Sequence, residues 1–109
     1  MMPQNLNYDD SVAYEASTIS KASPGTIYSL TGYNSHTSAV WVQLHDSATL
    51  PSDTAVPAII LHVPATSNFF YDFGEVGRYC LNGIVVCGSS TGPTKTIAGA
   101  VLWINTQYK

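Results

Sequence analysis

The side chains in this chain that could do chemistry are few and scattered. The histidines are His36, His45 and His62. His45 is followed directly by Asp46, but neighbours on an extended strand point to opposite sides, and a catalytic dyad needs two side chains converging within hydrogen-bond reach. His62 sits inside the apolar run Ile60-Leu61-His62-Val63 and reads as a sheet-rim residue. None of the three has a second ligand at the two-residue spacing that would place both on one strand face, so no metal site is expected. Serine lacks the Gly-x-Ser-x-Gly elbow that would expose it as a nucleophile. The stretch Gly88-Ser89-Ser90-Thr91-Gly92 is glycine-rich, but no Lys follows where a phosphate-cradling loop demands one, and it reads as a hairpin loop. The carboxylates Asp9, Asp10, Glu15, Asp46, Asp53, Asp72 and Glu75 are isolated apart from the first two. Asp46 and Asp53 flank one loop, but its middle offers mainly Ser and Thr, a poor calcium site. No spacing favours a pair of carboxylates for glycan hydrolysis. The expectation is a protein that is not an enzyme and carries no catalytic residue, metal or cofactor.

Cys80 and Cys87 fall in one apolar run, Cys80-Leu81-Asn82-Gly83-Ile84-Val85-Val86-Cys87. Odd spacing on a single strand puts the thiols on opposite faces, and extension separates them by about 20 Å, beyond disulfide reach. Both read as buried thiols behaving as small hydrophobes, and the apolar setting disfavours a Cys87 thiolate nucleophile.

The elements that would position these residues are strands. Short apolar runs are broken by Pro, Gly, Ser, Asn and Asp every 8–12 residues or so, the pattern of a sandwich or barrel, and no window holds a capped 3.6-residue stripe. Strands are predicted over 12–21, 26–33, 39–45, 58–63, 68–73, 78–87 and 96–108. In the third, Val40, Val42 and Leu44 point inward while Trp41, Gln43 and His45 point outward or to the rim. The run over 78–87 is the densest in apolar residues and reads as one central strand with a bulge at Gly83. The prediction is an all-β, antiparallel β-sandwich, jelly-roll or Ig-like, of seven to eight strands. Residues 1–11 lack periodicity and read as an N-terminal arm, leaving 12–109 as a single sandwich domain.

Composition narrows the function. With 109 residues the chain suits one domain able to bury roughly two-thirds of its unfolded surface. Charged residues make up only 10%, against about 25% in an ordinary soluble domain. A surface covered by Ser, Thr, Asn, Gln, Gly and Tyr suits packing against copies or partners, since interface cores are depleted of charge. Net charge is −3, and Lys21, Arg78, Lys95 and Lys109 are scattered singly, which argues against nucleic acid. No apolar run is long enough to span a bilayer, and the polar start has no secretory h-region, so synthesis in a host cytoplasm and no membrane partner are expected. The aromatics Tyr33, Trp41, Tyr71, Tyr79, Trp103 and Tyr108 are candidate interface residues, favoured over a sugar-stacking platform.

A family resemblance sharpens this. Pro24-Gly25-Thr26-Ile27-Tyr28 leads to Gly32-Tyr33-Asn34, then Trp41-Val42-Gln43-Leu44-His45-Asp46, Val56-Pro57 and Val63-Pro64-Ala65. Asp72-Phe73-Gly74, Gly77-Arg78-Tyr79-Cys80-Leu81-Asn82-Gly83-Ile84 and Ser89-Ser90-Thr91 follow. In this order and spacing the chain resembles small virion β-sandwich proteins of tailed-phage structural modules, with Cys80 and Cys87 standing where an aliphatic is usual. The resemblance implies a capsid decoration (cement) subunit that stabilises the head by packing on neighbours. It implies a virion location, a homo-oligomer with a trimer favoured, and the major capsid protein or other virion subunits as partners. The alternative it leaves is a tail- or fibre-associated module binding a receptor or glycan.

Overall fold

In the computed structural model residues 5–109 are described, and they form nine strands and no helix. The strands are β1 (Asn7–Asp10), β2 (Ser17–Lys21), β3 (Gly25–Asn34), β4 (Val40–Asp46), β5 (Ile59–Val63), β6 (Ser67–Asp72), β7 (Arg78–Cys80), β8 (Ile84–Ser89) and β9 (Leu102–Tyr108). One sheet runs β1-β9-β3-β6, with β7 also pairing β3; the other runs β2-β8-β4-β5. All pairings are antiparallel.

The order has a simple logic. Leaving β7 aside, first pairs with last: β1 with β9, β2 with β8, β3 with β6 and β4 with β5. A long antiparallel hairpin has been rolled across two sheets, which is the jelly-roll arrangement. An Ig-like sandwich would pair its first two strands in one sheet, whereas β1 and β2 lie in different sheets here.

Alternation fills the space between the sheets. Val40, Val42 and Leu44 of β4 meet Ile84 and Val86 of β8, and across from them lie Leu30, Phe69, Leu102 and Ile104, all in one buried cluster. Strand β3 breaks its own period: its register against β9 shifts between Ile27 and Ser29. The extra residue lets Ile27, Tyr28 and Leu30 all be buried while Ser29 and Thr31 stay only partly covered.

The strands expected over 12–21 and 96–108 begin only at Ser17 and Leu102, and nine strands replace the expected seven to eight for two reasons. The 78–87 run is two strands, not one, because the chain crosses from one sheet to the other at Leu81-Asn82-Gly83. The Asp46 carboxylate holds that corner, accepting the backbone N–H groups of Leu81 (3.1 Å), Asn82 (2.8 Å) and Gly83 (3.3 Å). Desolvation alone would raise the Asp46 pKa, but these donors, with the Arg78 charge, hold the carboxyl below its ordinary value. The thiols are therefore not on opposite faces of one strand: Cys80 lies in the core on β7, and Cys87 lies on β8 in the other sheet.

The second correction concerns the arm. Residues 7–10 lie within the segment predicted as an arm, yet they form β1, paired with β9; residues 1–4 of that segment lie outside the described residues. No apolar pattern announced β1 because polar bonds hold it. Asp9 accepts the hydroxyls of Thr18 (2.8 Å) and Ser20 (2.9 Å) from the opposite sheet, and Ser20 also bonds Thr106 at 2.7 Å. At the other side of the sandwich the fully buried Asn34 donates to the carbonyls of Ser38 and Pro64. Each seam thus carries a polar clasp.

Candidate functional site

The outer faces of the two sheets differ sharply. On the β2-β8-β4-β5 sheet, Gln43 and His45 point away from the core, as their parity on β4 predicts, yet both are buried, because the connections 47–57 and 90–97 fold over them. The Gln43 side-chain amide donates toward the carbonyls of Thr91, Gly92 and Thr94 at 3.0–3.2 Å. Its carbonyl lies 3.0 Å from His45 Nε2, which fixes that nitrogen as the donor. The two connections bond each other through Thr54 N–H to Lys95 O and Lys95 N–H to Ala55 O. Lys95 is itself buried, with its ammonium 3.5 Å from Asp53. Burial, and then the Lys95 charge, push the His45 pKa down. Burial pushes the Cys87 thiol up to about 11, a hydrophobe rather than a nucleophile.

His45 and Asp46 therefore do not converge: one faces Gln43 and the other the 81–83 corner. Among the described residues no group of three or more His, Cys, Asp and Glu side chains is placed to hold a metal ion.

The outer face of the β1-β9-β3-β6 sheet is open. Its register lines side chains into rows that cross the strands. Tyr8, Gln107, Ser29 and Asp72 form one row, and Asp10, Asn105, Thr31 and Phe70 the next. Trp103, Tyr33 and Asn68 form the third. Of the middle strands β3 carries the short hydroxyls Ser29 and Thr31 and β9 carries Asn105 and Gln107, while the flanking strands carry Tyr8 and Phe70, so the face is hollowed. One hollow of about 270 Å³ spans the first two rows, and a neighbouring one of about 380 Å³ lies between Phe70 and Trp103. Tyr14 stands edge-on to Trp103, with ring centroids 5.8 Å apart.

Of the aromatics singled out in the sequence, only Tyr33 and Trp103 share this groove. Trp41 sits on the other sheet, half-covered, edge-on to His62 at 5.0 Å and with Gly92 against its indole. Tyr71 lies at the β6 edge beside Phe73, Tyr79 is exposed on β7, and Tyr108 packs against the core. The groove residues missed were Tyr8, Asp10 and Phe70. Phe70 was within reach of alternation, sharing parity with Asn68 and Asp72; Tyr8 and Asp10 lay in the segment read as an arm.

The sheet margins differ too. β1 carries Asp9 and Asp10, and β2 ends in Lys21, charges that discourage strand addition. β5 and β6 each pair on one side only among the described residues; β5 carries no Lys, Arg, Asp or Glu, and β6 carries one charge, Asp72, at its end. Along them Ile60 and Tyr71 are 42% and 36% exposed.

No protein-family model matches the chain, and no curated protein matches it. Among solved structures it is similar to the coat protein of Tobacco streak virus, with 13% identity, a TM-score of 0.46, and 99% of this chain and 88% of that chain covered.

Proposed function

We propose that the protein is a virion structural subunit, a single sandwich domain with β1 included, that works by packing on copies of itself and on neighbouring subunits. The observation that carries this is the lightly guarded margin formed by β5 and β6, where Asp72 is the one carboxylate and Pro64 lies just beyond β5. Soluble monomers blunt such edges with charge, proline or a covering loop. Here two edge strands joined by a short connection present Ile60 and Tyr71 in a chain that is only 10% charged. Jelly-rolls also serve as capsid and lectin domains, which supports the reading by analogy of fold.

The more specific reading is a capsid decoration subunit of a tailed phage. Each of three copies would seat its β5–β6 margin on a different surface of the next around a three-fold axis, and the ring would bind the major capsid protein. A ring of copies closes only if each presents two complementary patches. The strand margin supplies one, and backbone pairing across it needs no particular side-chain sequence. Binding the assembled lattice alone stabilises that lattice by mass action.

Light scattering after size exclusion tests the self-association. The expected result is a mass three times that of the chain, with Ile60→Lys and Tyr71→Lys giving folded monomers. A native chain that stays monomeric, or lysine variants that remain trimeric, would contradict assembly through this margin.

A further inference from the structure

We propose that the outer face of the β1-β9-β3-β6 sheet is a binding site for a neutral oligosaccharide. This goes beyond assembly, since it uses the open face of that sheet rather than the β5–β6 margin.

The shape comes first. Tyr8 on β1 and Phe70 on β6 are 62% and 68% exposed, large rings left in water on either side of a polar floor of Ser29, Thr31, Asn105 and Gln107. Three strand spacings separate the flanking strands, roughly 14 Å, so a chain of sugar rings can lie between them. The second hollow continues past Phe70 to Trp103, giving room for more than one ring. Aromatic faces beside such a trough suit the apolar C–H face of a pyranose, an amphipathic ligand with a flat apolar side and a polar rim.

The polar groups then select the ligand. The hydroxyls of Ser29 and Thr31 and the amide of Gln107 line the trough and make no side-chain hydrogen bond among the described residues. Together they offer donors and acceptors in alternation, as sugar hydroxyls do. Asp10 is oriented by the Asn105 amide at 2.8 Å, which bonds one of its oxygens and leaves the other to accept from a ligand. Asp72 closes the other end, one oxygen engaged by the Gly74 N–H at 2.8 Å.

Charge decides between classes of glycan. The lining of both hollows contains two carboxylates, Asp10 and Asp72, and no Lys, Arg or His. A sialylated, sulfated or phosphorylated ligand would be repelled and would find no cation to pair with. A neutral polyol instead donates to the carboxylates in charge-assisted hydrogen bonds. The site is open and shallow, so affinity for a single chain is weak. Trimeric presentation would raise avidity without new contacts.

Saturation-transfer NMR of the full chain tests the proposal, using a panel of neutral oligosaccharides (hexose and N-acetylhexosamine trimers) beside sialylated and sulfated counterparts. The expected result is transfer to at least one neutral oligosaccharide and none to the anionic ones. Phe70→Ala and Asp10→Lys should each weaken binding at least tenfold, with the far-UV spectrum and solution mass unchanged. Tyr8→Ala supplies an independent wall variant should either of these fail to fold. No transfer from any neutral ligand at millimolar concentration, preference for the anionic set, or binding undiminished in the folded variants would each overturn the assignment. Because solution mass is read separately, loss of glycan binding and loss of assembly are told apart.

Discussion

Gly83→Val is expected to abolish the folded state, and Gly83→Ala to destabilise it by about 3 kcal/mol or more. A Cβ at this position would collide with the carbonyl oxygen of Ser47 and lie 2.6 Å from that of Lys21. Both obstacles are backbone, and they come from the ends of different strands, β4 and β2, which flank β8. Neither can retreat alone: moving one strains the β4–β8 pairing and moving the other the β2–β8 pairing. The corner is also where Asp46 gathers its three N–H donors, so a displaced chain forfeits those bonds too. With total stabilities of about 5–15 kcal/mol for such domains, a loss of this order removes much of the margin. Urea denaturation monitored by tryptophan fluorescence measures it; an alanine variant as stable as the native chain would contradict the account of the corner.

The second large effect is expected at Gln43. Gln43→Leu conserves volume but removes the amide that serves the carbonyls of Thr91, Gly92 and Thr94 and the acceptor that serves His45. Each buried polar group left unpaired costs about 1–3 kcal/mol, so a total near 3 kcal/mol is expected after relaxation. The 90–97 connection should loosen first, read as faster amide exchange at Lys95 and Thr96 and easier proteolysis there. The same site sets an acid limit. The folded-state pKa of His45 lies below its unfolded value, so the folded chain binds fewer protons between the two. Its contribution to stability is complete above pH about 6.5 and is lost as pH falls through the depressed pKa. His45→Asn should flatten the stability profile in that window. Asp46, also depressed, acts in the same direction at lower pH.

What the sequence made legible follows from which forces are local. Alternation is local, so the strand carrying Val40, Val42 and Leu44 was readable, with its inward face assigned correctly. The two-sheet architecture followed from repeated short runs, but the jelly-roll order depends on pairings such as β1 with β9, distant in sequence, and could not be separated there from an Ig-like one. Continuous apolarity hid the break at Gly83, because a residue buried on both sides looks the same whether the strand continues or changes sheet. Gln43 and His45 were rightly placed on the outward parity, but their burial depends on a connection more than 40 residues away, as the Thr91 and Thr94 contacts show. β1 escaped because Asp9, its main tether, reads as an ordinary surface acid until Thr18 and Ser20 are set beside it. The groove was half legible: Tyr33 and Trp103 were singled out, whereas the row that joins Asp10 to Phe70 exists only once four strands are in register.

The most direct test of the virion role is to band particles from the source on a density gradient, wash them in high salt and quantify this chain per particle. A virion role predicts that the chain bands with the particles at a fixed copy number divisible by three and that removing it lowers their resistance to heat or chelation. Finding the chain only in the soluble fraction at the top of the gradient would contradict it.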